Sequence, residues 1–249
     1  MSKRLYFMCK RKGLVPREVA EVGVYLPETS NVLEFINDGI PALLIEADPV
    51  CVEKLRQYFA SYSNVSIFPY AVWDENRCIA LYRANASTFI GELDASPALI
   101  NDSYILDKAD RFEVEARRFC EIDNGRIDLL SIDIEGAEWY VIKHLSSYPQ
   151  VIALEGYSGE YQNPFLPQIE QWMRENGYVR WFIDNTDIVY IQRGVIDLTT
   201  GERCRNLLAS ALTLLKHRLK SIKRKIRKRI LIRFESSADE RHFCRNNYF

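Results

Sequence analysis

The chain is 249 residues long, 47% apolar and 27% charged, with a formal net charge of −1. That composition is ordinary for a globular protein whose core needs no cross-links. Its six cysteines are far apart, with no Cys-x-x-Cys and no clustering around the three histidines, which argues against a zinc motif or a compact disulfide framework and fits free thiols in a reducing compartment.

The opening segment Met1–Pro16 is basic but lacks the apolar core of a secretory signal. No apolar run later in the chain reaches the ~18 residues of a membrane span, so a cytoplasmic protein is expected. Short apolar stretches then alternate with amphipathic ones. Strands are expected at Val19–Gly23, Ala42–Glu46, Val65–Pro69, Asp128–Asp133 and Gln150–Glu155, each apolar nearly throughout, as befits a parallel sheet buried on both faces. Helices are expected at Glu28–Asn37, Val50–Ser61 and Ala137–Ser146, where apolar residues recur every three or four positions.

The stretch Cys78–Arg118 interrupts this rhythm. It offers strands at Cys78–Tyr82 and Arg111–Arg118 joined by a long polar loop, an insertion suited to shaping a substrate site. After Glu155 a helix at Phe165–Asn176, stopped by Gly177, leads to strands at Tyr178–Ile183 and Ile188–Gln192. The four-residue turn between those strands permits only an antiparallel hairpin. The fold class is therefore α/β: a doubly wound, mostly parallel sheet closed by a C-terminal antiparallel hairpin.

Three strand ends carry the chemistry. Glu21-x-Gly23 ends the first strand and passes into a helix, the place where an open α/β sheet receives a nucleotide. Glu21 is a poor neighbour for a pyrophosphate and a good one for a sulfonium and an ammonium. Glu46 ends the second strand about twenty residues after Gly23, where an acidic side chain can accept ribose hydroxyls. Ala47 and Asp48 would border the nucleoside. The fourth strand runs into Asp133-Ile134-Glu135-Gly136-Ala137-Glu138.

That last run resembles the FkbM-type methyltransferases, whose fourth strand ends in Asp-x-Glu-Gly-x-Glu, and the likeness extends from about Glu18 to Gln192. It takes in Glu46-x-Asp48-Pro49, the Ala71-Val72 turn after the third strand, and Glu155 ending the fifth. One departure is the loop after the first strand, Gly23-Val24-Tyr25-Leu26-Pro27-Glu28, where the family pattern is richer in glycine. The resemblance implies a Rossmann-like domain over residues 1–195 that binds S-adenosylmethionine and methylates an oxygen of a sugar, glycan or glycosylated natural product. Cofactor-binding residues would be Glu21, Gly23, Glu46, Ala47, Asp48, Ala71 and Asp133. Catalytic ones would be Asp133 as base, with Glu135 and Glu138 orienting the acceptor or capping the following helix. Asp133, Glu135 and Glu155 could also hold a divalent ion, but no spacing demands one and no metal ligands are assigned. The loops Asn85–Phe89 and Tyr157–Pro164, with Tyr104 and Tyr161, are candidates for acceptor contacts.

The remaining residues, 196–249, form a tail of opposite character. Residues 204–249 hold thirteen Lys/Arg against three Asp/Glu, leaving twenty basic and thirty-one acidic residues in 1–203. Leu208, Leu212, Leu215, Leu219, Ile222 and Ile226 mark one stripe of a basic amphipathic helix. Residues 205–233 could lie on an anionic membrane surface, peripheral to the inner face, or the stripe could dock on the acidic body. Nucleic acid is disfavoured, since the body offers no basic groove. Two other functions stay open at this point: a nucleotide-dependent oxidoreductase, weakened by the lack of Gly-x-Gly-x-x-Gly, and a non-catalytic adaptor tethered by the tail.

Overall fold

A computed structural model of the chain describes residues 3–223, apart from 85, 86, 185, 217 and 221. In chain order the strands are β1 (Val19–Val22), β2 (Ala42–Ile45), β3 (Val65–Phe68), β4 (Ala71–Val72), β5 (Arg77–Ala84), β6 (Ser87–Ile90), β7 (Arg111–Arg117), β8 (Leu129–Ile132), β9 (Val151–Glu155), β10 (Tyr157–Ser158), β11 (Tyr161–Gln162), β12 (Tyr178–Asp184) and β13 (Asp187–Gln192). Six helices accompany them: α1 (Lys3–Arg11), α2 (Leu33–Asn37), α3 (Pro49–Tyr58), α4 (Pro97–Asn101), α5 (Glu138–Lys143) and α6 (Leu166–Glu175). Residues 200–216 are also helical.

The main sheet runs in the order β12-β13-β9-β8-β1-β2-β3. Pairings from β3 across to β9 are parallel, and β13 is antiparallel to both β9 and β12. Successive side chains on a strand face opposite ways, and here both ways are buried. Ala20, Val22, Leu43, Ile45, Leu130, Ile132, Ile152 and Leu154 enter one core, covered by Val141 and Ile142 of α5 and Ile169 and Met173 of α6. The alternate positions, among them Val19, Leu44, Leu129 and Val151, enter a second core closed by Leu5 of α1, Phe35 of α2 and Leu55 of α3. The chain starts in the middle of the sheet, winds outward through β2 and β3, then returns to β8 on the other side of β1. That reversal leaves a crevice at the carboxyl ends of β1 and β8, where open α/β sheets take their ligands.

The insertion is more ordered than its sequence suggests. The expected long loop contains a strand and a helix, β6 and α4, and a second sheet in the order β4-β7-β5-β6 stands over the crevice. It has its own core of Ile79, Leu81, Ile90, Leu93 and Val114.

Two expected helices are shorter than their periodicity implies, each because a carboxylate captures backbone amides. The helix expected at Glu28–Asn37 breaks into a 3-10 turn, Pro27–Thr29, and α2, because Ser30 and Asn31 between them turn to bind Glu21. The one expected at Ala137–Ser146 ends at Lys143, since both carboxylate-facing amides of Ser146 and Ser147 donate to Asp123, at 2.7 and 2.6 Å. Helix α1 was no part of the expected pattern. Its Leu5 and Cys9 are fully buried while Phe7 is 60% exposed. Replacing Leu5 by Ala should cost about 2–5 kcal/mol of unfolding free energy in urea denaturation, and Phe7→Ala should stay within about 0.5 kcal/mol.

Candidate active site

The crevice is a cavity of about 310 Å³ bordered by Glu21, Gly23, Glu46, Ala47, Ala71 and Asp133, together with Glu135 from the next turn. Six of the seven expected cofactor residues therefore share one space. Strand register brings them there: Val22 of β1 pairs with Ile45 of β2 on one side and Ile132 of β8 on the other, so the next residue of each strand emerges at the same edge.

Gly23 makes the junction possible. Its φ is +84°, and a Cβ there would fall on the carbonyl of Asp133. The Gly23 amide donates to Ile45 O, and the Asp133 amide to Val22 O, each at 2.9 Å. The following loop is held from inside. Glu21 accepts from Ser30 Oγ at 2.5 Å and from the Asn31 amide at 2.9 Å. Glu46 accepts from the amides of Tyr25 and Asp48, both at 2.8 Å. Tyr25 sits at φ +59°, a left-handed conformation rare for a bulky side chain.

Two expected site residues lie elsewhere. Asp48 does not border the cavity: it caps α3 through the Val50 amide and binds Arg83 in a fork at 2.7 and 2.8 Å. Glu138 does not reach it either. It is wholly buried, accepts from the amides of Ile134 and Gly136 at 3.2 Å each, and binds Asn163. It shapes the turn that presents Asp133 and Glu135. Neither tyrosine proposed to stack on an acceptor borders this cavity. Tyr104 donates to Asp110 at 2.5 Å, and Tyr161 is 2% exposed with its hydroxyl beside Gly136. Of the loop at 85–89, Asn85 and Ala86 lie outside the described residues, while Ser87 donates to Glu135 at 2.8 Å and Thr88 borders the cavity.

Sequence reasoning missed Asn31. Its amide binds Glu21, its side-chain nitrogen donates to Ser131 at 3.0 Å, and its buried Oδ1 has no partner among the described residues. The signal was there: a polar Ser-Asn pair interrupting an otherwise amphipathic run.

Glu135 is the most unusual member. Its φ is +56°, Ser87 holds one oxygen, and the other is buried with no partner among the described residues. Burial, and then the charge of Asp133, push its pKa up to about 8. Burial likewise raises Glu21 to about 8 and Glu138 to about 7, and it raises Glu46 as well. Among the described residues no group of His, Cys, Asp or Glu is arranged to hold a metal ion.

Residues 20–180 match the model of the methyltransferase FkbM domain. The chain belongs to the FkbM methyltransferase family. No curated protein matches this FkbM chain. Among solved structures it is similar to the fibrillarin/Nop5p complex (15% identity, 77% of this chain and 81% of that chain, TM-score 0.43). It is also similar to ribosomal protein L11 methylase from Lactobacillus delbrueckii subsp. bulgaricus (13%, 74% and 73%, 0.37). A third is precorrin-6y C5,15-methyltransferase from Geobacter metallireducens (13%, 75% and 87%, 0.36).

Membership in the FkbM family implies S-adenosylmethionine as the methyl donor, and the cavity fits that group. Gly23 leaves room for close approach, Asn31 Oδ1 awaits a donor, and the charged residues bordering the cavity are carboxylates, with no Lys or Arg among them. Such a border suits a sulfonium and repels a pyrophosphate, which disfavours the oxidoreductase reading.

These raised values have a consequence for stability. A carboxyl whose pKa is higher folded than unfolded contributes fully below its unfolded value near 4.5, and that contribution is lost as pH climbs through the folded value. Glu138 alone, moved to about 7, corresponds to on the order of 3 kcal/mol. The melting temperature should therefore fall as pH is raised from about 5 to about 8.5, the window set by Glu138, Glu21 and Glu135, as read by calorimetry across that range.

Proposed function

We propose that residues 1–195 form an S-adenosylmethionine-dependent O-methyltransferase domain acting on a hydroxyl of a sugar, glycan or glycosylated natural product, with residues 196–249 as an accessory tail. The observation that carries this reading is the meeting of Glu21, Glu46 and Asp133 at one cavity beside Glu135, whose second oxygen is unengaged.

The cofactor, when bound, supplies a methyl group on a sulfonium, an electrophile that requires an acceptor oxygen placed in line with it. The chain's own part is mostly positioning. Glu46 is fixed by two backbone amides and keeps further lone pairs for ribose hydroxyls. Gly23, Ala47 and Ala71 provide small or bare walls for the nucleoside. A cation bound beside Glu21 and Asp133 would favour their ionised forms, so these carboxyls supply negative potential once the cofactor is in place. Asp133 also opens onto the cavity, where its carboxylate can orient the acceptor hydroxyl.

The proton has a receiver in Glu135. With Oε1 held by Ser87, Oε2 is free to accept it. A carboxyl near pKa 8 is a stronger base than an ordinary glutamate and is ionised in a useful fraction at neutral pH. The acceptor is read as a saccharide from the family resemblance and from the hydroxyl and amide groups of Thr29, Asn31 and Thr88 along the cavity.

Calorimetric titration of the purified chain should show binding of S-adenosylmethionine and S-adenosylhomocysteine but not NAD. Binding of neither sulfur nucleotide would instead support the adaptor reading. Transfer of a labelled methyl group from S-adenosylmethionine to a panel of saccharides should give an alkali-stable ether; label released by mild base would mean a carboxylate acceptor. With such an acceptor, kcat should rise with pH and level off above about 8. Glu135→Gln should lower kcat about 10²- to 10⁴-fold and remove that rise, with cofactor affinity nearly unchanged.

A further inference from the structure

The helix at 200–216, continued at 218–220 and 222–223, meets the body with the face opposite to the one its composition favours. Ser210 is 6% exposed, Leu214 packs against the first core, and Asn206 and Thr213 are half-buried. These positions follow one another at three- and four-residue steps and define the docked side. The aliphatic stripe points away from it. Leu208, Leu212, Leu215, Leu219 and Ile222 are each at least half exposed, from 50% to 65%. The expectation that the stripe might lie on the acidic body is thus corrected: the body already holds the other side of this helix.

A row of five large aliphatic side chains left in water is uncommon on a monomer and marks an interaction surface. The charges beside it say of what kind. Lys216, Arg218, Lys220 and Lys223 flank the stripe and are exposed. No Asp or Glu occurs between Glu202 and Glu235, and the basic run continues in sequence through Arg229. The helix also roofs a second cavity of about 650 Å³, bordered by Arg180, Arg193 and Arg203 along with Ile196, Leu198 and Leu207. Cationic and apolar character therefore extends beneath the helix as well as over it.

We propose that this helix is a docking surface for an anionic lipid bilayer, its leucine stripe entering the interface while its lysines and arginines meet the headgroups. A second copy of the chain would bury the same stripe but would set one dense row of positive charge against another, whereas a bilayer bearing negative headgroups satisfies both features at once. The body carries an excess of acidic residues, so the basic tail supplies most of the attraction and sets which side of the molecule approaches. This inference does not depend on the identity of the methyl acceptor.

The test is flotation of the full chain with phosphatidylserine–phosphatidylcholine vesicles and with pure phosphatidylcholine vesicles. The wild type should float with the anionic vesicles only, and less so as salt is raised. Two variants of the full chain change exposed residues alone, L212S/L215S/L219S and K216Q/K220Q/K223Q, and circular dichroism checks that each is folded. Each should lose flotation, the lysine variant by on the order of 100-fold in partitioning. Failure of the wild type to float with anionic vesicles, or equal flotation of the serine variant, overturns the proposal. So does a wild-type dimer in sedimentation that the serine variant converts to monomer without any vesicle binding.

Discussion

Everything at the carboxyl edge of this sheet depends on one missing side chain. Gly23 lies so close to the carbonyl of Asp133 that a single methyl group would force β1 and β8 apart. With hydrogen there, the ends of β1, β2 and β8 stay in register. Glu46, Asp133 and the loop braced by Glu21 then surround a common space. The parallel pairing supplies the alignment, and the glycine lets the alignment persist one residue past the last ladder bond.

The concentration of carboxylates around that edge is costly to bury, and the structure offsets it in two ways. Some acidic side chains accept backbone amides. Glu21 holds the Ser30–Asn31 turn, Glu46 holds Tyr25 and Asp48, and Glu138 holds Ile134 and Gly136. Others are pushed toward protonation: Glu155, facing Asp187 across the β9–β13 pair, is raised to about 10 by burial and by its acidic neighbours. Glu135 falls between these cases. One oxygen is anchored by a hydroxyl and the other is unsatisfied, an arrangement typical of a group kept for a task other than stability.

Much of this was legible in the residues alone. Apolar runs of four or five residues gave the buried strands, and Glu46 and Asp133, each one step past such a run, marked the edge where the cavity lies, while Glu21 lies inside its strand. The four-residue connection after Ile183 dictated the antiparallel end of the sheet. What failed to show was the partner of each acidic group. Asp48 and Glu138 carry the same side chains as the cavity residues and lie near them in sequence, but Arg83 and Asn163, thirty-five and twenty-five residues downstream, draw them inward. Helix α1 escaped notice because only Leu5 and Cys9, four apart, record its buried face amid basic residues. The interior of the insertion was hidden because its apolar residues come in runs too short to show a period: Phe89 and Ile90 in β6 and Ala98 in α4 are buried, each in a run of only a few apolar residues.

The insertion is joined to the Glu135 carboxyl by the Ser87 hydroxyl. Ser87 belongs to the sheet that bounds the cavity, and it is the donor that steadies Glu135 and lowers its affinity for a proton. The segment that gives the cavity its shape thus also tunes its basicity. Grafting a different insertion to alter which molecules fit would, unless a donor were kept at that spot, retune the chemistry along with the selectivity, so the two traits are constrained to evolve together.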